Sequence, residues 1–343
     1  MLLLVPGCTP RPLRGAGRPS LVEAVARALT DPSLAHSGVA LLVVSLDRGD
    51  TLFAREEDRL YTPASNRKLF TAASALHWLG PEYRFLTTLV TTGPLIADTL
   101  RGDLVLVGRG DPDLITADLA ALADTLATRA RVVTGDVRAD DSWFDDVEWG
   151  AGWMWDDGPY WEWPYVTALT LEDNVVTITA RPGPEVGSAV AVGVDPPTGY
   201  VTVNVSATTG PPGGTSDLVV DRHWDPRENV IDVTGTLTLD AEPVVARRTV
   251  EVPALHAATV LLELLEARGV EVLGVARHDP VEEAVADTIA THTSKPLALS
   301  IRNFLKVSDN LTGELLVKAV GASVAGPPGT YEKGLAAERE FLA

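Results

Sequence analysis

The sequence has 343 residues, enough for two or three domains, and its 47 Asp and Glu outnumber 28 Lys and Arg to give a formal net charge of −19. That charge argues against a nucleic-acid partner, which requires a basic surface. Apolar residues make up 45% and charged residues 22%, an ordinary globular balance, and no apolar run reaches the roughly 20 residues of a membrane-spanning helix.

Residues 1–19 read as a flexible lead-in rich in Pro, Arg and Gly. Its start, Met1 to Gly7 followed by Cys8, supports two readings. One is the end of an apolar export segment, which puts the protein outside the cytoplasm with a lipid anchor at Cys8; the other is a ragged start. Cys8 is the single cysteine, so no intrachain disulfide forms. Ser20-Leu21-Val22-Glu23 is a capping-box pattern that opens a short amphipathic helix to about Leu29. The Val-rich run Val39 to Leu46 predicts a buried strand, and Thr51 to Arg55 pairs back after the turn at Asp47 to Asp50.

Pro63-Ala64-Ser65-Asn66-Arg67-Lys68 is a turn running into a helix, with Leu69, Ala72, Ala73 and Leu76 as its expected apolar face and Gly80-Pro81 as its stop. Ser65 and Lys68 are one turn apart, so hydroxyl and amine meet on one face. A serine hydroxyl needs a base to become a nucleophile, and a lysine serves only where its neutral form is favoured. The competing reading is a helix cap at Ser65 and a solvated Lys68.

Strands are expected at Phe85 to Thr92, Asp103 to Val107 and Val132 to Arg138, and a helix at Thr116 to Ala130. The glycines of Gly108 to Pro112 do not have phosphate-loop or dinucleotide spacing. Residues 141–165 concentrate tryptophans among acids and glycines, a loop-rich cap or a surface for sugars or amines. From Ala168 to Val252 the texture is β, and from Pro253 it is helical again: Ala254 to Arg268, Pro296 to Lys306, a segment to about Val320, and Tyr331 to Leu342. The histidines (His36, His77, His223, His256, His278, His292) have no ligand spacing, so neither a metal nor another cofactor is expected.

Ser308-Asp309-Asn310 breaks two of these helices. Composition would supply such a triplet roughly 0.02 times in a chain of this kind, although each residue type also caps helices. Ser308 could relay a proton near Lys68, Asn310 could bind Lys68 and a substrate carbonyl, and Asp309 is expected to turn inward and hold the loop.

Ser-x-x-Lys followed by Ser-Asp-Asn resembles the penicillin-binding proteins and serine β-lactamases. Leu100-Arg101-Gly102-Asp103-Leu104 through Gly110-Asp111-Pro112, Ala168 through Asn174, and Ser308-Asp309-Asn310-Leu311 with Glu314-Leu315-Leu316 narrow the likeness. They resemble the D-alanyl-D-alanine carboxypeptidases of peptidase family S13, the class C low-molecular-mass penicillin-binding proteins, from about residue 20 onward. The resemblance implies an α/β (α+β) fold of the penicillin-binding-protein/serine β-lactamase transpeptidase type with a long, mostly β insertion. Its catalytic domain would comprise 20–84 and 254–343, and the insertion 85–253, in two subdomains.

The same resemblance implies Ser65 as acylated nucleophile, Lys68 as its base, and Ser308 and Asn310 as the rest of the proton network. It implies peptidoglycan stem peptides ending in D-Ala-D-Ala as substrate and β-lactams as inhibitors, with the Ser65 N–H as one oxyanion donor. An acid of the inserted region would pair with the free amine of a stem-peptide diamino acid. Trp155-Asp156-Asp157-Gly158 is the matching stretch, with Asp156 and Asp157 undecided between them and a solvated turn as the competing reading. The family's Lys-Thr-Gly strand has no counterpart, so the chain is expected to lack the family's C-terminal part. The alternatives are a β-lactamase-like or esterase-like serine hydrolase and a catalytically incomplete wall-binding fragment.

Overall fold

Periodicity in the sequence dictates where helices and strands form, and packing decides which of their faces are buried. The computed structural model describes residues 20–225, 227–280 and 287–343, so the lead-in 1–19 and Cys8 lie outside the described residues. The chain divides between Ala64 and Ser65 into two compact units. In the first, helix α1 (Leu21–Ala28) starts with the capping box its sequence announces: Glu23 N donates to Ser20 Oγ and Ser20 N to the Glu23 carboxylate. The Val-rich run gives strand Leu41–Val44, antiparallel to Thr51–Arg55. It is not a buried strand, because its residues alternate between half-buried and exposed. A two-stranded ribbon has only two strands with which to cover its apolar side chains.

The second unit contains helix α2 (Arg67–Trp78) and three cores. The first core lies on a five-stranded mixed sheet in the order Ala276–His278, Val137–Asp140, Leu104–Val107, Leu86–Thr91 and Asp287–Thr293. Helices α3 (Thr116–Ala127) and α4 (Pro253–Glu266) pack on it, and Leu104, Leu106, Leu119, Leu126 and Leu261 are fully buried between them. Each such leucine contributes about 1.5–3 kcal/mol of burial. Helix α4 therefore shares a core with residues 89–139, whereas its sequence texture groups it with the nucleophile helix. A helix whose two faces are both apolar does not reveal from sequence which partner it covers.

The second core is β-rich. Val175–Arg181 is flanked antiparallel by Ala191–Asp195 and Val244–Thr249, and Val176, Ile178, Ile231 and Val233 form the interior. The third core joins α2 to helices α5 (Leu297–Val307), α6 (Asn310–Ala325) and α7 (Tyr331–Leu342) through Ala72, Ala75, Phe304, Leu311, Leu315 and Leu316. Of the expected stripe, helix α2 buries Ala72 and packs Leu76 against the core, while Leu69 remains 57% exposed and Thr71, Ser74 and Ala75 are buried instead. Small side chains on that face let α6 and α7 approach closely.

Candidate active site

A short 3-10 turn, Ala64–Asn66, leads into α2 and leaves Ser65 exposed at the helix start. Ala64 holds φ at 46°, a left-handed conformation uncommon for a residue with a side chain. Lys68 is half-buried one turn along. Its Nζ lies 3.4 Å from Ser65 Oγ, 3.1 Å from Ser308 Oγ, 2.6 Å from Ser308 O and 2.5 Å from Asn310 Oδ1. The two motifs, 240 residues apart, thus converge on one amine.

The local chain explains this convergence. Ser308 ends α5 in the left-handed region at φ 58°, which turns its carbonyl and hydroxyl toward Lys68. Asp309 then caps α6, its carboxylate accepting from Leu311 N at 3.2 Å and Thr312 N at 2.8 Å, the capping role that is the competing reading for it. Asn310 opens α6 and donates its Nδ2 to Glu162 O at 2.7 Å, which ties the tryptophan-rich loop to the site.

The chemistry follows from donor counting. A neutral lysine amine has two N–H donors and one lone pair. The two closest acceptors, Ser308 O and Asn310 Oδ1, use the two donors. The lone pair is then available to a serine hydroxyl. Burial lowers the Lys68 pKa below the ordinary lysine value, against the opposing charges of Asp309 and Glu314. The long Ser65–Lys68 distance is of the kind that tightens only when substrate binds.

Asp156 and Asp157 stand apart from this group. Asp156 is exposed, and Asp157 accepts from Met154 N at 2.8 Å, which closes a turn. No hydrogen bond links either to Ser65, Lys68, Ser308 or Asn310 among the described residues. The surrounding loop is well packed: Trp149 and Trp153 meet edge-on at 5.2 Å, and a Cβ on Gly158 would lie 1.8 Å from the Trp224 ring. A cleft of about 400 Å³ is lined by Asp113, Asp118, Glu172, Asp173, His292 and Lys295. Burial, and then the nearby Asp309 charge, pushes the Asp173 carboxyl up. Asp173 and Glu314 are charged neighbours of the site to which motif spacing assigns no role, although both lie in stretches that resemble the family. No cluster of His, Cys, Asp or Glu among the described residues could hold a metal ion.

Residues 21–343 match the D-Ala-D-Ala carboxypeptidase 3 (S13) family. The chain is 37% identical over 340 residues to the D-alanyl-D-alanine carboxypeptidase of Actinomadura sp. (strain R39), covering 96% of this chain and 62% of the relative. It is 25% identical over 310 residues to the D-alanyl-D-alanine carboxypeptidase DacB of Haemophilus influenzae, covering 89% and 64%. The crystal structure of penicillin binding protein 4 (dacB) from Haemophilus influenzae superposes with a TM-score of 0.74 at 24% identity, covering 88% of this chain and 66% of that one. The same protein complexed with a β-lactam gives 0.67 at 22% identity, with 88% and 65% covered. The chain spans less than two thirds of the length of these relatives.

Proposed function

The chain belongs to the D-Ala-D-Ala carboxypeptidase 3 (S13) family and has the penicillin-binding-protein fold, and from that premise we propose that it is a serine DD-carboxypeptidase/endopeptidase of peptidoglycan stem peptides. The observation that carries the proposal is the meeting of Ser65 Oγ, Ser308 Oγ and Asn310 Oδ1 on Lys68 Nζ. Ser65 Oγ attacks the carbonyl between the terminal D-alanines as Lys68 Nζ takes its proton. The tetrahedral oxyanion is held in part by the Ser65 N–H. The intermediate collapses to an acyl-enzyme, and the proton passes from Lys68, with Ser308 as relay, to the departing D-alanine amine. Water then attacks the acyl-enzyme by the reverse relay and releases the shortened peptide. A β-lactam acylates Ser65 in the same way and leaves slowly.

Asn310 has a second amide N–H beyond the one given to Glu162 O, and its role is to orient the substrate carbonyl. Asp156, or Asp157 through its uncommitted carboxylate oxygen, pairs with the free amine of the diamino acid, with the neighbouring indoles adding cation–π attraction. Residues 85–253 act as the inserted region that carries this recognition loop, within a fold completed by 20–84 and 254–343. Peptidoglycan is an extracytoplasmic substrate, so the protein works in the periplasm or cell envelope, with Cys8 as its lipid anchor.

The test is release of D-alanine from an N-acylated Lys-D-Ala-D-Ala peptide, by this chain and by any longer product of its reading frame. Ser65→Ala should abolish release. Asp156→Asn with Asp157→Asn should lower kcat/KM only for a peptide with a free side-chain amine, by roughly 1–3 kcal/mol, the scale of a charge-assisted hydrogen bond. Equal loss on the acetylated peptide would reduce the two acids to loop holders. Labelling by penicillin without D-alanine release would favour a ligand-holding chain without turnover.

A further inference from the structure

Helix α6 carries Asn310, Glu314 and Lys318 at intervals of four, so they form one stripe along its surface. The two ends of the stripe are committed. Asn310 Oδ1 holds Lys68 Nζ at 2.5 Å. Lys318, fully buried, donates to Asp145 Oδ1 and to Val147 O, each at 2.6 Å. Glu314 lies on the same stripe between Asn310 and Lys318, and the Tyr331 hydroxyl of α7 is its side-chain hydrogen-bonding neighbour. Residue 313 is glycine; even a Cβ there would come within 3.9 Å of Lys68 Cε, so only bare backbone separates the lysine stem from this turn of α6.

The other neighbours are accounted for. On α2, Arg67 is tied to Glu338 of α7 at 2.5 Å. On α7, the Tyr331 ring sits 4.8 Å from Lys318 Nζ, and its buried hydroxyl is directed at the Glu314 carboxylate. Asp309, the other carboxylate whose field reaches Lys68, spends both oxygens on the α6 cap. That leaves Glu314 as the carboxylate behind the amine that forms no ion pair of its own among the described residues, with its charge felt at Lys68.

We propose that Glu314 is a positioning residue whose carboxylate, acting through space from behind Asn310, stabilises the ammonium that Lys68 becomes when it takes the Ser65 proton. The proposal rests on the reading of Lys68 as the base. It gives the site two opposed influences: burial favours the neutral amine that accepts the proton, and Glu314 favours the cation formed by acceptance. Burial also raises the Glu314 pKa, so its charge, and with it this support, is present above its own titration and fades as pH falls through it.

The test titrates Lys68 directly, without any turnover. The protein is trace-acetylated across a pH series, and the extent of modification at Lys68 is read by mass spectrometry. Glu314→Gln, which keeps shape and removes charge, should lower the Lys68 midpoint by about one unit. That is about a tenfold change in the ammonium-to-amine ratio at fixed pH, the scale of one charge at close range. Glu314→Asp should restore most of the shift. Glu314→Ala serves as a second charge-removing variant if the Gln protein does not fold. An unchanged or raised midpoint in a folded, charge-removed variant would overturn the proposal. Wild-type protein that titrates as expected but never reacts with penicillin would instead count against the proposed function and leave Glu314's effect standing.

Discussion

His256 sits within α4 with no exposed surface, and neither ring nitrogen has a hydrogen bond among the described residues; its ring lies 5.3 Å from that of Tyr200. Burial pushes its pKa down to about 4. The unfolded histidine titrates near about 6.5, so below that pH the unfolded chain binds a proton that the folded chain refuses. Stability is full above the unfolded value and is lost as pH falls toward the folded one, by up to about 3 kcal/mol. His256→Phe keeps the ring contact with Tyr200 and removes the titration. Urea unfolding at pH 7 and at about pH 4.5 should show a smaller loss in the variant than in the wild type, by about 2–3 kcal/mol. Equal losses would show that His256 does not titrate with folding. Single residues differ in how legible they are. Ser65, Lys68, Ser308 and Asn310 carry their identity in short motifs. The Asn310–Glu162 bond spans 148 residues, and Glu251 gathers Arg222, Arg227 and Tyr165 from distant strands and loops. No local pattern encodes those meetings.

At the scale of elements, helices were largely readable and their partners were not. Helix α3, expected from the sequence, buries Leu119, Leu122, Ala123 and Leu126, because that face meets a sheet and needs a broad apolar stripe. The strand Asp287–Thr293 was not foreseen: only Ile289 of its seven residues is buried, so alternation was too weak to read, yet it completes the five-stranded sheet by pairing antiparallel with Leu86–Thr91. The α6–α7 crossing depends on bare backbone. A Cβ on Gly334 would lie 2.0 Å from Val317 O, and one on Gly321 2.8 Å from Gly334 N. Gly334→Ala must therefore push α7 away from α6. The expected cost is about 1–3 kcal/mol of stability, the usual range for overpacking. Slower reaction at Ser65 should accompany it, because α6 also carries Asn310. An unfolding midpoint equal to the wild type's would mean that the two helices separate freely and the close crossing has no energetic weight.

At the scale of the whole molecule, the three cores divide the labour of the second unit. The helical core fixes Ser65, Lys68, Ser308 and Asn310 on rigid helix ends, where small errors of placement would be costly. The loop that reaches Asn310 through Glu162 packs on that same helical core through Trp143, Phe144 and Trp153, and Thr249 Oγ1 of the β region donates to Gly158 O within it. Composition and motif order made the fold class readable and singled out Ser65 as the candidate nucleophile, while the grouping of α4 with the sheet depended on contacts far apart in sequence. The central claim is that Ser65 is a nucleophile activated by Lys68. Its most direct measurement is peptide-level mass spectrometry of the protein after exposure to benzylpenicillin, beside Ser65→Ala and Lys68→Ala variants with unchanged unfolding curves. The expected result is a covalent adduct on the Ser65 peptide, absent from Ser65→Ala and formed about 10²–10⁴-fold more slowly in Lys68→Ala. No adduct, an adduct on another residue, or a Lys68→Ala protein that labels at the wild-type rate would contradict it.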